Sequence, residues 1–191
     1  MRKTTKIIAL VGLVGSLSLT GCTINIGTPN NGGSHMMEQN NSKYSSTDVM
    51  FAQMMIPHHQ QAVDMGTLAE TRASNPEVKA LAAQIKNEQD PEITQMKGWL
   101  TEANAGMEMG HEMHMGGMLT DSEFAELKAA TGPAFDKLYL QGMIKHHEGA
   151  IDMAQMVLTS KNPEAKALGE AIVSSQTKQI TYMKELLKNL G

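Results

Sequence analysis

Met55-Ile56-Pro57-His58-His59-Gln60-Gln61-Ala62-Val63-Asp64-Met65 returns later in the chain as Met143-Ile144-Lys145-His146-His147-Glu148-Gly149-Ala150-Ile151-Asp152-Met153. A paired histidine flanked by methionines thus occurs twice at the same helical phase. Around the first copy, Phe51, Met55, Ile56, His59, Ala62, Val63 and Gly66 share one face at 3.6-residue spacing. That spacing predicts a helix from about Ser46 to Arg72. Ser74-Asn75-Pro76-Glu77 then reads as a turn and helix start, because proline is tolerated in a first helical turn.

The following stretch carries Val78, Leu81, Ile85, Ile93, Met96 and Leu100 at helical spacing, and the second half of the chain repeats the plan. A helix is expected over Phe135 to Thr159, a turn at Lys161-Asn162-Pro163-Glu164, and a return helix over Ala165 to Leu190. Asp48 matches Asp136, and Gln89, Ile93 and Met96 match Gln176, Ile180 and Met183. Two helical hairpins, each with one apolar face, bury those faces by packing together. The predicted fold is all-α, an antiparallel four-helix bundle of the ferritin-like kind. Thr120-Asp121-Ser122-Glu123 is a capping box that opens a short extra helix, ended by Thr131-Gly132-Pro133. Pro57 and Pro91 fall inside the first pair of helices and should kink them.

At 100° per residue, His147 sits at the centre of a stripe with Leu140, Met143, Ile144, Ile151, Ala154 and Leu158. His59 occupies the same phase among Met55, Ile56, Ala62 and Val63. This core pair can meet across the bundle, or each can be a core histidine bonded to a neighbour such as Gln89 or Gln176. His58 and His146 lie about 100° round, on the flank, with Met54, Met65 and Met153 on their strips. There they would form partly exposed sites or a solvated surface. Imidazole and thioether bind soft or borderline metals without losing a proton at neutral pH.

Between the hairpins runs Met107-Glu108-Met109-Gly110-His111-Glu112-Met113-His114-Met115-Gly116-Gly117-Met118. Its glycines oppose a rigid helix, and a polar loop has no face to bury, so packing does not explain its methionines. Met107, Met109, His111, Met113, His114, Met115 and Met118 are the makings of a flexible chelator for Cu(I) or Ag(I). The alternative is a low-complexity linker.

Met outnumbers every aromatic type, 17 against three Phe, three Tyr and one Trp, more than gap-filling in a core explains. At the start, Arg2, Lys3 and Lys6 precede an apolar run over 7–19 and then Leu19-Thr20-Gly21-Cys22. This order resembles a bacterial lipoprotein signal, which implies cleavage before Cys22 and lipid on its sulfur. Cys22 is the single cysteine, so a lipidated protein would have no thiol and no disulfide. Without the three basic residues of the signal, 13 of the 16 Lys and Arg remain against 20 acidic residues. That balance disfavours nucleic acid and mildly favours cations. The expected organisation is a signal peptide at 1–21, a flexible tether at 22–46 and one domain at 47–191. Within the domain, repeat one spans 48–103, the loop 104–119, the short helix 120–131 and repeat two 132–190.

The repeated Met-Ile-x-His-His-x-x-Ala-(Val/Ile)-Asp-Met, the Asn-Pro-Glu turns and the Gln-to-Met return helices resemble the ferritin-like bacterial family DUF305, a domain of unknown function with a duplicated His-His repeat. The resemblance covers about Asp48 to Leu190. It implies a four-helix bundle in the cell envelope that binds copper, as Cu(I) or Cu(II), or silver, with no metal needed for folding. The ligands it implies are Met54, Met55, His58, His59 and Met65, then Met143, His146, His147 and Met153. Gly142 stands where repeat one has Met54, which predicts a poorer second site.

The function expected from these residues is a non-enzymatic, membrane-anchored lipoprotein on the periplasmic or extracellular side. It would sequester Cu(I)/Ag(I), or relay it to efflux or copper-handling proteins. A ferritin-like di-iron oxidase would need inward Glu and Glu-x-x-His motifs on helices. The Glu-x-x-His here, Glu108 to His111, lies in the glycine-rich loop. A third reading is a structural module whose histidines sense pH.

Overall fold

Ser45 starts the first helix with a reciprocal cap. Its hydroxyl accepts the Asp48 N–H while the Asp48 carboxylate accepts the Ser45 N–H at 2.8 Å. In the computed structural model, which describes residues 43–108 and 115–190, α1 then runs Ser46–Arg72 and α2 Pro76–Glu102. The short α3 covers Asp121–Ala129, α4 Gly132–Ala154 with a 3-10 turn Gln155–Val157, and α5 Pro163–Leu190. No strand occurs among the described residues, and the fold is a helical bundle.

Most boundaries follow the local chemistry. Asn75 caps α2 by accepting the Glu77 N–H at 2.7 Å, and Asn162 accepts the Glu164 N–H at 2.9 Å in the matching place. Thr120 and Glu123 form the expected capping box of α3. Two boundaries differ. Gly132 and Pro133 begin α4 instead of only ending α3, since proline fits a first helical turn. The α4 helix also tightens into its 3-10 turn before Thr159. Both α1 and α2 continue across Pro57 and Pro91.

The α1 helix packs along α2, α4 packs along α5, and the two hairpins meet chiefly through α1 and α4. Both His-His helices therefore occupy the inner seam. Asp136, buried on α4, accepts the backbone N–H groups of Ser74 and Asn75 and so ties repeat two to the turn of repeat one. The chain before α1 joins the core earlier than the expected tether boundary. Tyr44 is buried and stacks on Trp99 at 5.4 Å, and its hydroxyl reaches Glu164 at 2.9 Å.

Two apolar clusters form the core. One contains Phe51, Met54, Met55, Met96, Trp99, Met153 and Ile172. The other contains Met65, Leu81, Ile85, Phe135, Tyr139, Met143 and Met183. In every long helix the residues between these clusters are buried but polar: His58 and His59, Gln89, His146 and His147, and Gln176 and Gln179. A polar waist thus crosses an otherwise apolar bundle.

Candidate metal centre

All four histidines of the waist are fully buried, at 0% exposure. For His58 and His146 this corrects the partly exposed flank read from helical phase. A single apolar stripe describes a helix with one neighbour. Here α1 meets both α2 and α4, so two of its faces are covered. The rings that meet across the repeats are those of His58 and His146, tilted 39° with centroids 3.7 Å apart.

Each imidazole has one nitrogen engaged and the other free. His146 Nε2 donates to the His58 carbonyl oxygen at 2.9 Å, and His58 Nε2 donates to the Gly116 carbonyl oxygen at 3.2 Å. A carbonyl can only accept, so both protons sit on Nε2. His147 Nε2 meets Gln179 Oε1 at 2.7 Å, and the Gln179 amide donates to Glu88 Oε2 at 2.8 Å. His59 Nε2 meets Glu92 Oε2 at 2.8 Å. The partners expected from sequence, Gln89 and Gln176, lie one turn away. Both side-chain polar atoms of Gln89, and the Gln176 oxygen, lack a protein partner.

The Nδ1 atoms of His58, His59, His146 and His147 are all buried without a hydrogen-bond partner. Burial, with repulsion from the neighbouring histidines, pushes His58 down to about 3 and His146 well below the ordinary imidazole range. Burial likewise lowers His147 to about 4, against the opposing effect of the hydrogen bond it donates to Gln179. At neutral pH the His58, His146 and His147 rings are uncharged. With Nε2 protonated, the Nδ1 of each of these three presents a lone pair to the interior. Ligating histidines are commonly fixed this way, the second ring nitrogen donating to a carboxylate or backbone carbonyl.

Thioethers surround this layer. Met54 and Met55 lie one turn before His58 and His59, and Met143 one turn before His147, spacings that place side chains on one helical strip. Met54, Met55, Met65, Met143 and Met153 are all buried. A Cβ added at Gly142 would lie 3.4 Å from the Met65 methyl carbon, so Met65 crosses to the turn before His146. No three His, Cys, Asp or Glu side chains are grouped to hold a metal ion among the described residues. Any coordination there must draw on the thioethers.

The loop joins the site at both described ends. The Gln53 amide donates to the Gly106 carbonyl oxygen at 2.8 Å. At the far end Gln61 exchanges two hydrogen bonds with Leu119, at 2.8 and 3.0 Å, beside the His58–Gly116 bond. Gly117 adopts φ 84°, and a Cβ there would fall 2.5 Å from the Lys145 carbonyl oxygen. The two repeats differ where this strap seats. Gly149 replaces Gln61 and leaves room for Gly116, while Gly142 replaces Met54 and leaves room for the Leu119 side chain, which an added Cβ would approach to 3.2 Å. Of the loop residues, Met107 is 47% exposed, and Met115 packs against the first core cluster. Met118 is half-buried. Met109, His111, Met113 and His114 lie outside the described residues, as does Cys22.

Sequence reasoning missed Glu92, Gln179, Glu88 and Gly116, the acceptors that orient the rings. Glu92 and Gln179 carry a signal, because each stands three residues after a matched glutamine in a return helix. Gly116 carries none, since a carbonyl is common to every residue.

The domain of unknown function DUF305 matches residues 48–187. A DUF305 protein from Streptomyces coelicolor is similar in structure, with a TM-score of 0.73 and 34% identity over 76% of this chain and 92% of that one. A DUF305 fragment from Deinococcus radiodurans gives 0.69 and 29% over 76% and 97%. CopM in its Cu(I)-bound form gives 0.63 and 34% over 74% and 96%. CopM has also been solved with Cu(II) and with silver bound. Protein L153 of Acanthamoeba polyphaga mimivirus matches at 42% identity over 53 residues, 27% of this chain and 35% of that protein's length.

Proposed function

This chain belongs to the DUF305 family, and on that footing we propose that it binds Cu(I) or Ag(I) as a non-enzymatic envelope lipoprotein. It sequesters the ion or relays it to an efflux or copper-handling partner, and so contributes to copper homeostasis or resistance. Lipid at Cys22 holds it on a membrane facing the periplasm or the exterior. The observation that carries this reading is the set of four buried imidazoles with bare Nδ1 atoms in a core rich in thioethers. Neutral sulfur and nitrogen donors in an apolar setting suit a monovalent soft ion, which brings little charge into the interior. The copper and silver forms of CopM support the choice of ion.

In this mechanism the exchangeable loop thioethers capture the ion and pass it to the waist. The histidines of each repeat hold an ion through Nδ1, His58 and His59 with Met54, Met55 and Met65, and His146 and His147 with Met143 and Met153. For His58, His146 and His147 the Nε2–H bonds keep the ring in the binding tautomer, so no proton has to leave.

Replacing Met109, His111, Met113, His114 and Met115 together with Ser tests the capture step. Competition titration should show Ag(I) binding weakened by at least about tenfold, 1.4 kcal/mol, with helix content unchanged. Equal affinity in the two proteins would remove the loop from the mechanism.

A further inference from the structure

Matching positions of the two return helices offer the buried histidines different partners. Glu92 in α2 and Gln179 in α5 stand at equivalent places, and their oxygens approach His59 Nε2 and His147 Nε2 at 2.8 and 2.7 Å. The geometry is nearly the same, but one acceptor is a carboxylate and the other a neutral amide. On the amide side the nearest carboxylate of the relay, Glu88, is one hydrogen bond further out.

A carboxylate that accepts an imidazole N–H makes the opposite ring nitrogen a stronger donor and places a negative charge near whatever that nitrogen holds. An amide fixes the same tautomer without adding charge. Glu92 also reaches solvent. Its side chain is 19% exposed and lies in an open surface groove with Gln95 and Glu164 on the α2–α5 face. The His59 side of the waist is therefore the more negative one. On the His147 side the Gln179 side chain is spent on two hydrogen bonds and carries no charge.

Resting on the reading that these imidazoles ligate copper or silver, we propose that Glu92 and Gln179 are positioning residues that make the repeats select different charge states. His59 favours divalent Cu(II), and His147 favours monovalent Cu(I) or Ag(I). The two repeats are then a divalent site and a monovalent site in one bundle.

Glu92→Gln and Gln179→Glu in the full chain test this, because each keeps an acceptor for the histidine and changes its charge. Gln179→Glu is made together with Glu88→Gln, whose amide restores the hydrogen bond between those two side chains. Affinities for Cu(II) and Ag(I) are measured by competition, and the midpoint potential of bound copper by redox titration. Glu92→Gln should lose about tenfold in Cu(II) affinity with Ag(I) affinity little changed, and a tenfold shift in the copper couple is about 59 mV upward. Gln179→Glu should move selectivity and potential the opposite way. Equal weakening of both ions, or an unmoved potential, overturns the proposal. Thermal unfolding without metal reports whether Glu92→Gln folds; where it does not, Gln179→Glu alone decides by the sign of its shift. His59→Gln and His147→Gln separate the two levels. Binding of both ions that ignores these histidines sinks the copper reading itself, whereas histidine-dependent binding without altered selectivity sinks only the charge assignment.

Discussion

Acidification from about pH 7.5 to about pH 5.5 should cost the metal-free protein about 4 kcal/mol of unfolding free energy. The cause is the waist. Burial holds folded His58 near 3, His147 near 4 and His146 well below its ordinary value. In the unfolded chain the same rings titrate near 6.5. Between these limits the unfolded state binds protons that the folded state refuses, so stability rises with pH across the window. It is fully present above about 6.5 and drains away as pH falls toward 4. Each histidine contributes about 1.4 kcal/mol over the stated step, and a small domain has only about 5 to 15 kcal/mol in total. Urea unfolding at the two pH values measures the loss, and a change in any one of the three histidines to Gln should remove about a third of it. A pH-independent midpoint would mean that these rings are not held neutral by burial.

Gly149→Ala should destabilise the protein by about 3 kcal/mol, although Ala for Gly inside a helix ordinarily helps by about 1 kcal/mol. A methyl group at Gly149 would run into the Gly116 carbonyl oxygen, and backbone cannot swing aside like a side chain. The strap would lift, breaking the His58–Gly116 bond and both Gln61–Leu119 bonds, each worth about 1 kcal/mol. Gly98→Ala is the control. Gly98 lies exposed within α2, and an added Cβ there meets nothing within 4 Å. It should stabilise by about 0.5 to 1 kcal/mol. Chemical denaturation of the two variants gives opposite signs on this account. A stabilised Gly149→Ala would show that the strap does not bear on α4.

The fold was largely legible because its determinants are local and repeated. Caps at Thr120 and Asn75, proline after each turn and the apolar period of α1 and α5 act within a few residues of where they are read. The four histidines and their flanking methionines were visible for the same reason. What escaped depends on distance in the chain. Whether His58 faces solvent is decided by α4 and by the strap at Gly116, both far along the sequence. The choice of Glu92 and Gln179 over Gln89 and Gln176 depends on how α2 and α5 are rotated about their axes. A shift of three residues changes facing by only about 60°, which an apolar period does not resolve. Tyr44 was missed because one aromatic among Asn, Gly and Ser carries no period, yet its stacking on Trp99 fixes it in the core.

The ring nitrogens themselves offer the most direct test. Long-range proton–nitrogen correlation spectra of nitrogen-15 protein would place each imidazole in its tautomer and follow both nitrogens as Ag(I) is added. In the metal-free protein His58, His59, His146 and His147 should carry the proton on Nε2. Silver should then shift their Nδ1 resonances and leave the Nε2–H signals in place. Four Nδ1 resonances unmoved by stoichiometric silver, or a shift at Nε2 instead, would contradict the account.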